Sequence, residues 1–103
     1  MKHFLIKYRF QNGSEEAWHH DIAEFISALD GDPALQGKIS YRCMKSRDGS
    51  DYYHFASVAD DEAVKTLQTR AFFMSYTEKT KRAGGGSVEV VPLNLIAETN
   101  RTA

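Results

Sequence analysis

The dipeptide Asp48-Gly49 lies between two strand-like segments, and it constrains the fold more than any other feature of the sequence. Residues 52–58 are rich in aromatic and β-forming side chains. An Asp-Gly pair between two such segments is the strongest short-range signal for a tight β-hairpin. The middle of the chain is therefore predicted to form a hairpin of strands 38–47 and 52–58.

The hairpin also predicts which side chains share a face of the sheet. A two-residue loop places Cys43 opposite His54, and a four-residue loop keeps the same parity. Tyr41, Cys43, Tyr52 and His54 then lie on one face. A loop of three or five residues would break this pattern, so the length of the loop decides it.

A strand and a helix precede the hairpin, and a helix and a strand follow it. The N-terminal strand alternates apolar and polar residues, and each helix carries an apolar stripe at three- and four-residue steps. Ser14 is the expected N-cap of the first helix, and Asp60 or Asp61 that of the second. Pro92 indicates an edge position or a bulge for the last strand. The predicted ranges are 3–10 (strand), 15–29 (helix), 61–82 (helix, ended by three glycines) and 88–96 (strand).

The order βαββαβ predicts an α+β fold, the ferredoxin-like sandwich, because crossover helices and one tight hairpin produce a split βαβ sheet. We expect a single domain over residues 1–97 and a polar tail over 98–103. Two helices cover only one face of such a sheet. The other face also carries apolar side chains, among them Tyr53 and Phe55, so we expect it to be buried against a second copy of the chain.

Composition excludes several functional classes. Lys and Arg total 13 against 14 Asp and Glu, which gives a net charge of −1 and disfavours a protein that coats nucleic acid. One cysteine, Cys43, excludes an intramolecular disulfide and a multi-cysteine zinc site. The longest early apolar run is three residues, and no segment is long enough for a membrane span, so a cytoplasmic location without membrane contact is expected.

Four short stretches of the sequence resemble one protein family. They are residues 37–41 (Gly-Lys-Ile-Ser-Tyr), 55–64 with its acidic helix start, 67–72 (Leu-Gln-Thr-Arg-Ala-Phe) and 88–93 (Val-Glu-Val-Val-Pro-Leu). In these stretches the chain resembles the antibiotic biosynthesis monooxygenase-like family. The resemblance implies a dimeric α/β barrel, formed by a homodimer, with a cleft between sheet and helices. It also implies oxygenation of an electron-rich aromatic or quinol-type substrate by O₂ without any cofactor.

His54 is the candidate catalytic base, because a neutral imidazole of ordinary pKa suits proton abstraction from a phenol near pH 7. The same histidine also fits an ordinary packed position in a strand. Aromatic residues are abundant and suit a cavity for a flat aromatic ligand, as well as ordinary core packing. The residues expected to position such a ligand are Tyr8, Tyr41 and Tyr52, with Trp18 and Phe72 as apolar walls.

Two further observations bear on the chemistry. His19 and His20 are adjacent on a helix and point about 100° apart, and no HxH or HExxH spacing occurs, so no metal site is expected. Many members of the resembling family carry histidines in the second helix, where this chain has Thr66 and Ala71. That difference favours the alternative hypothesis, a non-catalytic dimeric α/β barrel that binds a small hydrophobic metabolite.

Overall fold

The computed structural model describes residues 1–99 as one antiparallel sheet covered on one face by helices. The predicted tail at 98–103 therefore lies mostly outside the described residues. The sheet has the order β2-β3-β1-β4, which is the ferredoxin-like arrangement that the sequence predicts. The elements in chain order are β1 (Lys2–Arg9), α1 (Glu15–Asp30), β2 (Ile39–Lys45), β3 (Asp51–Val58), α2 (Asp61–Gln68), α3 (Ala71–Ala83) and β4 (Glu89–Leu93).

The central hairpin has the predicted register. Cys43 pairs with His54 and Lys45 with Tyr52. The Ser46 N–H donates to the Asp51 carbonyl at 2.9 Å and closes the end of the loop. The loop between Ser46 and Asp51 has four residues, so the parity of a two-residue turn is kept. The shared face of Tyr41, Cys43, Tyr52 and His54 is thereby confirmed.

Helix α1 begins where the sequence places its cap. The Ser14 hydroxyl oxygen accepts from the Ala17 N–H, and two acidic residues follow in the first turn, near the positive end of the helix dipole. The buried side chains recur at four- and three-residue steps, so one stripe of the helix packs on the sheet. These residues are Trp18, Ile22, Phe25 and Leu29.

The prediction of one continuous helix over 61–82 is wrong. Helix α2 ends at Gln68, Arg70 has extended backbone, and α3 starts at Ala71. Two side chains stabilise the break: the Thr69 hydroxyl donates to the Thr66 carbonyl, and the Arg70 guanidinium binds Asp32 at 2.7 and 3.3 Å. Beyond the break the helical phase changes, because Tyr76, Thr80 and Ala83 are buried while Met74 is exposed.

Strand β4 is shorter than the predicted 88–96. It pairs only with β1 and ends at Leu93, and the following Leu95 and Ile96 are exposed. Pro92 lies opposite Phe4 on this edge strand, as its missing N–H requires. Between α3 and β4, Gly84 packs so closely that an added Cβ would lie 3.1 Å from the Cβ of Tyr8, so a larger residue there requires its neighbours to shift.

The two faces of the sheet differ in burial. The covered face contains the core, whereas Phe55, Met44 and Leu93 on the open face are 39, 47 and 40% exposed. Ion pairs such as Lys7–Glu89 and Arg9–Asp51 border these apolar side chains. An apolar patch with a charged border is typical of an interaction surface. Among residues 1–99, no helix has the length and apolarity needed to cross a membrane.

Candidate functional site

His54 lies at the centre of the covered face and has no exposed surface. Strand β3 places it between Cys43 on β2 and Ile6 on β1. Helices α1 and α3 cover it with the aromatic rings of Trp18 and Tyr76. A polar ring buried this deeply must have hydrogen-bond partners, since an unpaired one costs about 1–3 kcal/mol.

Three tyrosines are the hydrogen-bond partners of His54, and Trp18 donates to one of them. Its Nε2 lies 2.7 Å from the Tyr8 hydroxyl, which also accepts from the Trp18 Nε1–H at 2.8 Å. Its Nδ1 contacts the Tyr41 hydroxyl and lies 3.2 Å from that of Tyr76. The Tyr41 and Tyr76 hydroxyls are 3.0 Å apart. We call these five residues the histidine cluster.

Burial perturbs every titratable member of the histidine cluster. Desolvation lowers the pKa of His54 to about 4, so the imidazole is neutral at pH 7. Burial raises the pKa values of Tyr8, Tyr41 and Tyr76 well above the usual range of a phenol. All four groups are therefore uncharged near neutral pH, and the cluster is a network of neutral donors and acceptors.

A cavity of about 420 Å³ lies beside the histidine cluster, between the sheet and α1–α3. Its volume falls in the range of small-molecule sites. The wall is mainly apolar, and Tyr41 and Tyr76 are the two cluster members that reach it, with His54 behind them. The polar wall residues are Tyr41, Gln68, Tyr76, Thr77, Thr80 and Lys81.

The predicted site residues separate into three groups. Tyr41 lines the cavity, and its role in positioning a ligand stays a prediction. Tyr8 and Trp18 belong to the histidine cluster but do not line the cavity, and His54 does not reach it directly. The structure thus brings four predicted residues together and gives only one of them direct access to the cavity.

Tyr52 and Phe72 lie outside the cavity wall. The Tyr52 ring stacks on Tyr8 at 5.4 Å, and its hydroxyl lies 2.7 Å from the Nε2 of His19. Phe72 packs against the core near Phe25, with ring centroids 6.0 Å apart.

Sequence reasoning did not assign Tyr76 to the site. Tyr76 stacks on Phe25 at 3.8 Å and presents its hydroxyl to both Tyr41 and His54. The break after α2 changes which residues of α3 face the sheet, and Tyr76 is one of the residues that face it. The available signal was the four-residue spacing of Phe72, Tyr76 and Thr80. It competes with a second apolar stripe at helical spacing, formed by Val64, Leu67, Ala71 and Met74.

The remaining titratable groups do not extend the site. Burial raises the pKa of the Cys43 thiol to about 11, so it is protonated near neutral pH. His20 is exposed and pairs with Glu24 at 2.8 Å. Within residues 1–99, no three His, Cys, Asp or Glu side chains are grouped closely enough to hold a metal ion.

Solved structures share this architecture over nearly the whole chain. SnoaB of Streptomyces nogalater, described as a cofactor-independent oxygenase and solved as a variant, aligns with a TM-score of 0.77 and 13% identity and covers 97% of both chains. A protein described as an antibiotic biosynthesis monooxygenase aligns with a TM-score of 0.73 and 10% identity over 94% of this chain and 100% of its own. The chain shares the ferredoxin-like α+β fold of these solved structures.

The same fold occurs in Rv0793 of Mycobacterium tuberculosis, with a TM-score of 0.75 and 14% identity over 96% of this chain and 98% of that one. The sequence matches no family model and has no significant match among curated proteins. At these identities the likeness establishes the fold.

Proposed function

We propose that the chain is a small cofactor-independent monooxygenase that acts on an electron-rich aromatic, quinol-type substrate. The observation that carries the proposal is the cavity of about 420 Å³, whose mainly apolar wall includes Tyr41 and Tyr76, both with hydroxyls bonded to His54. Such a cavity accepts a flat aromatic ring and orients it by one oxygen. The fold shared with an oxygenase agrees with this chemistry by analogy.

The reaction requires the substrate to become electron-rich before it meets O₂. In an anthrone-type substrate, a CH₂ carbon becomes a carbonyl, one oxygen atom enters that carbon, and the other leaves as water. The substrate would enter the cavity as its anion, with its proton released to bulk water, and the Tyr41 and Tyr76 hydroxyls would hold the negatively charged oxygen. The apolar wall excludes water from that charge and strengthens the hydrogen bonds to it.

We further propose that His54 acts on the substrate through Tyr41. The imidazole is fully buried and touches the Tyr41 hydroxyl, so Tyr41 stands between His54 and the cavity. Loss of the imidazole leaves Tyr41 and Tyr76 free to rotate away from the substrate. A displacement of about 1 Å in such a site can lower the rate about 100-fold.

Oxygen uptake tests this function. The purified protein is given quinols and anthrone-type phenols without added metal, flavin or haem, and O₂ consumption and quinone formation are followed together. We expect stoichiometric uptake by the wild type, about 100-fold slower turnover in His54→Ala, and unchanged turnover in His20→Ala, whose imidazole is exposed. Equal turnover in both variants would remove His54 from the mechanism.

One observation favours a second function, a non-catalytic dimeric α/β barrel that binds a hydrophobic metabolite. Both nitrogens of His54 are engaged by tyrosine hydroxyls, so His54 has no unoccupied nitrogen that faces the cavity. This function predicts saturable ligand binding and no product across the same panel of compounds.

We also propose that the working form is a homodimer, with the open face of the sheet buried between two copies. The support is the apolar patch around Phe55, Met44 and Leu93 with its border of ion pairs. A two-fold axis lets such a face pack against itself, which makes a second copy the simplest partner.

A further inference from the structure

We propose that Trp18 and Tyr8 fix His54 in the tautomer that carries its proton on Nδ1, and that this makes the Tyr41–Tyr76 pair a hydrogen-bond donor toward the cavity. The cavity then selects ligands that present an acceptor oxygen, namely ketones, quinones and phenolates, over ligands of the same shape that present only a donor. This inference rests on the proposed function in taking the cavity as the ligand site.

The hydrogen-bond donors around Tyr8 determine which nitrogen of His54 carries the proton. The Trp18 Nε1–H can only donate, so the Tyr8 oxygen accepts from it at 2.8 Å. The Tyr8 hydroxyl proton then needs an acceptor of its own. Among the described residues, the acceptor within reach is His54 Nε2 at 2.7 Å. Nε2 is therefore unprotonated, and the single proton of the neutral imidazole lies on Nδ1.

The proton on His54 Nδ1 determines how the Tyr41 and Tyr76 hydroxyls are hydrogen-bonded beside the cavity. His54 Nδ1–H faces the oxygens of Tyr41 and Tyr76 and donates to them. Between the two hydroxyls, 3.0 Å apart, only one proton can serve as a bridge. The hydrogen bonds of these two hydroxyls among residues 1–99 are those to each other and to His54, so the second hydroxyl proton has no acceptor in this set, and both tyrosine side chains line the cavity.

The hydroxyls of Thr77 and Thr80, which also line the cavity, have no free proton to donate to a ligand. Thr77 donates to the Met74 carbonyl at 2.8 Å, and Thr80 donates to the Tyr76 carbonyl at 2.9 Å. Both of these protons are used within α3. The free proton of the Tyr41–Tyr76 pair therefore determines what the buried end of the ligand must offer, which is an acceptor. A donor-only ligand would leave that hydroxyl unpaired in an apolar cavity.

The arrangement makes Trp18 and Tyr8 positioning residues, because they act on the ligand through His54. It also favours a substrate that binds as its anion, since the resting histidine cluster offers a proton to the ligand oxygen. Neither effect depends on turnover, so both can be measured without oxygen chemistry.

The tautomer is measured directly by ¹⁵N NMR of the His54 ring in the uniformly labelled protein. We expect Nδ1 protonated and Nε2 unprotonated in the wild type and in Tyr52→Phe, the matched control, whose ring stacks on Tyr8 without touching the His54 nitrogens. In Trp18→Phe the Tyr8 oxygen is free to accept from Nε2–H, so the other tautomer becomes populated. A wild-type His54 protonated on Nε2 would overturn the proposal.

The ligand preference is measured with three tricyclic probes of one shape: fluorenone, which presents a carbonyl acceptor; carbazole, which presents an N–H donor; and fluorene, which presents neither. By titration calorimetry we expect fluorenone to bind about tenfold more tightly than carbazole, and the preference to disappear in Tyr41→Phe,Tyr76→Phe. Equal affinities in the wild type, or no binding of any probe, would refute the selection. If the wild type prefers fluorenone but takes up no O₂ with the quinol and anthrone panel, only the monooxygenase function is refuted.

Discussion

Replacing Tyr8 by phenylalanine removes one buried oxygen that joins two other buried groups. The Trp18 Nε1–H loses its acceptor and His54 Nε2 loses its donor, at 2.8 and 2.7 Å respectively. An unpaired buried donor or acceptor costs about 1–3 kcal/mol, so the two together lower the free energy of unfolding by about 2–6 kcal/mol. That is a large part of the stability of a typical domain, about 5–15 kcal/mol.

Tyr52→Phe is the matched control. Tyr52 is 1% exposed and Tyr8 6%, and their rings are stacked with an interplanar angle of 5°, so both substitutions remove a hydroxyl from equally buried rings. Within the described residues, the Tyr52 hydroxyl bonds to the ring of His19 and lies near Glu15, and both of these exposed side chains can bind water instead. We expect a cost of about 0.5–1.5 kcal/mol for this variant.

Urea unfolding at one protein concentration, followed by circular dichroism, gives both free energies, since association would add a concentration-dependent contribution. A double-mutant cycle adds Trp18→Phe, which should cost less in the Tyr8→Phe background because the indole N–H has already lost its acceptor there. If Tyr8→Phe costs no more than Tyr52→Phe, and the cycle shows no coupling, the reasoning about the histidine cluster is refuted.

Two further predictions follow from burial. Burial lowers the pKa of His54 to about 4 in the folded state, so between pH 6.5 and 4 the unfolded state binds one more proton than the folded state. The free energy of unfolding of the wild type should therefore fall by about 3 kcal/mol as the pH drops through that window. This contribution should be absent in His54→Gln, and an equal loss in both proteins would contradict the prediction. On the open face of the sheet, Phe55→Glu should convert the proposed homodimer to monomer in sedimentation. Met74→Glu, at a more exposed residue on α3, should leave the dimer intact. A monomeric wild type would contradict the proposed dimer.

The fold was predictable where local signals agree with the tertiary structure. The Asp48-Gly49 loop determines the parity of the hairpin, and therefore that Tyr41 and His54 share the covered face. Ser14 likewise determines the start of α1. These features depend on residues close in sequence, so pattern and turn chemistry are sufficient to find them.

The features that were missed depend on distant contacts. Arg70 interrupts the second helical segment through its bond to Asp32, 38 residues earlier in the chain, and nothing local announces that pair. Because the break resets the phase of α3, the place of Tyr76 was hidden as well. Trp18 was expected to be an apolar wall, but its Nε1–H serves the histidine cluster, a role that depends on where Tyr8 lies across the sheet.

The account's central claim is that the cavity beside Tyr41 and Tyr76 is the site of oxygenation. Ala56 lies on the cavity wall, opposite Tyr41 in the register of β2 and β3, so Ala56→Phe places a ring inside the empty space. Ala23→Phe on the exposed face of α1 is the control. Oxygen uptake with the quinol and anthrone panel should be lost in Ala56→Phe and kept in Ala23→Phe, with both proteins folded. Wild-type uptake by Ala56→Phe would contradict the claim.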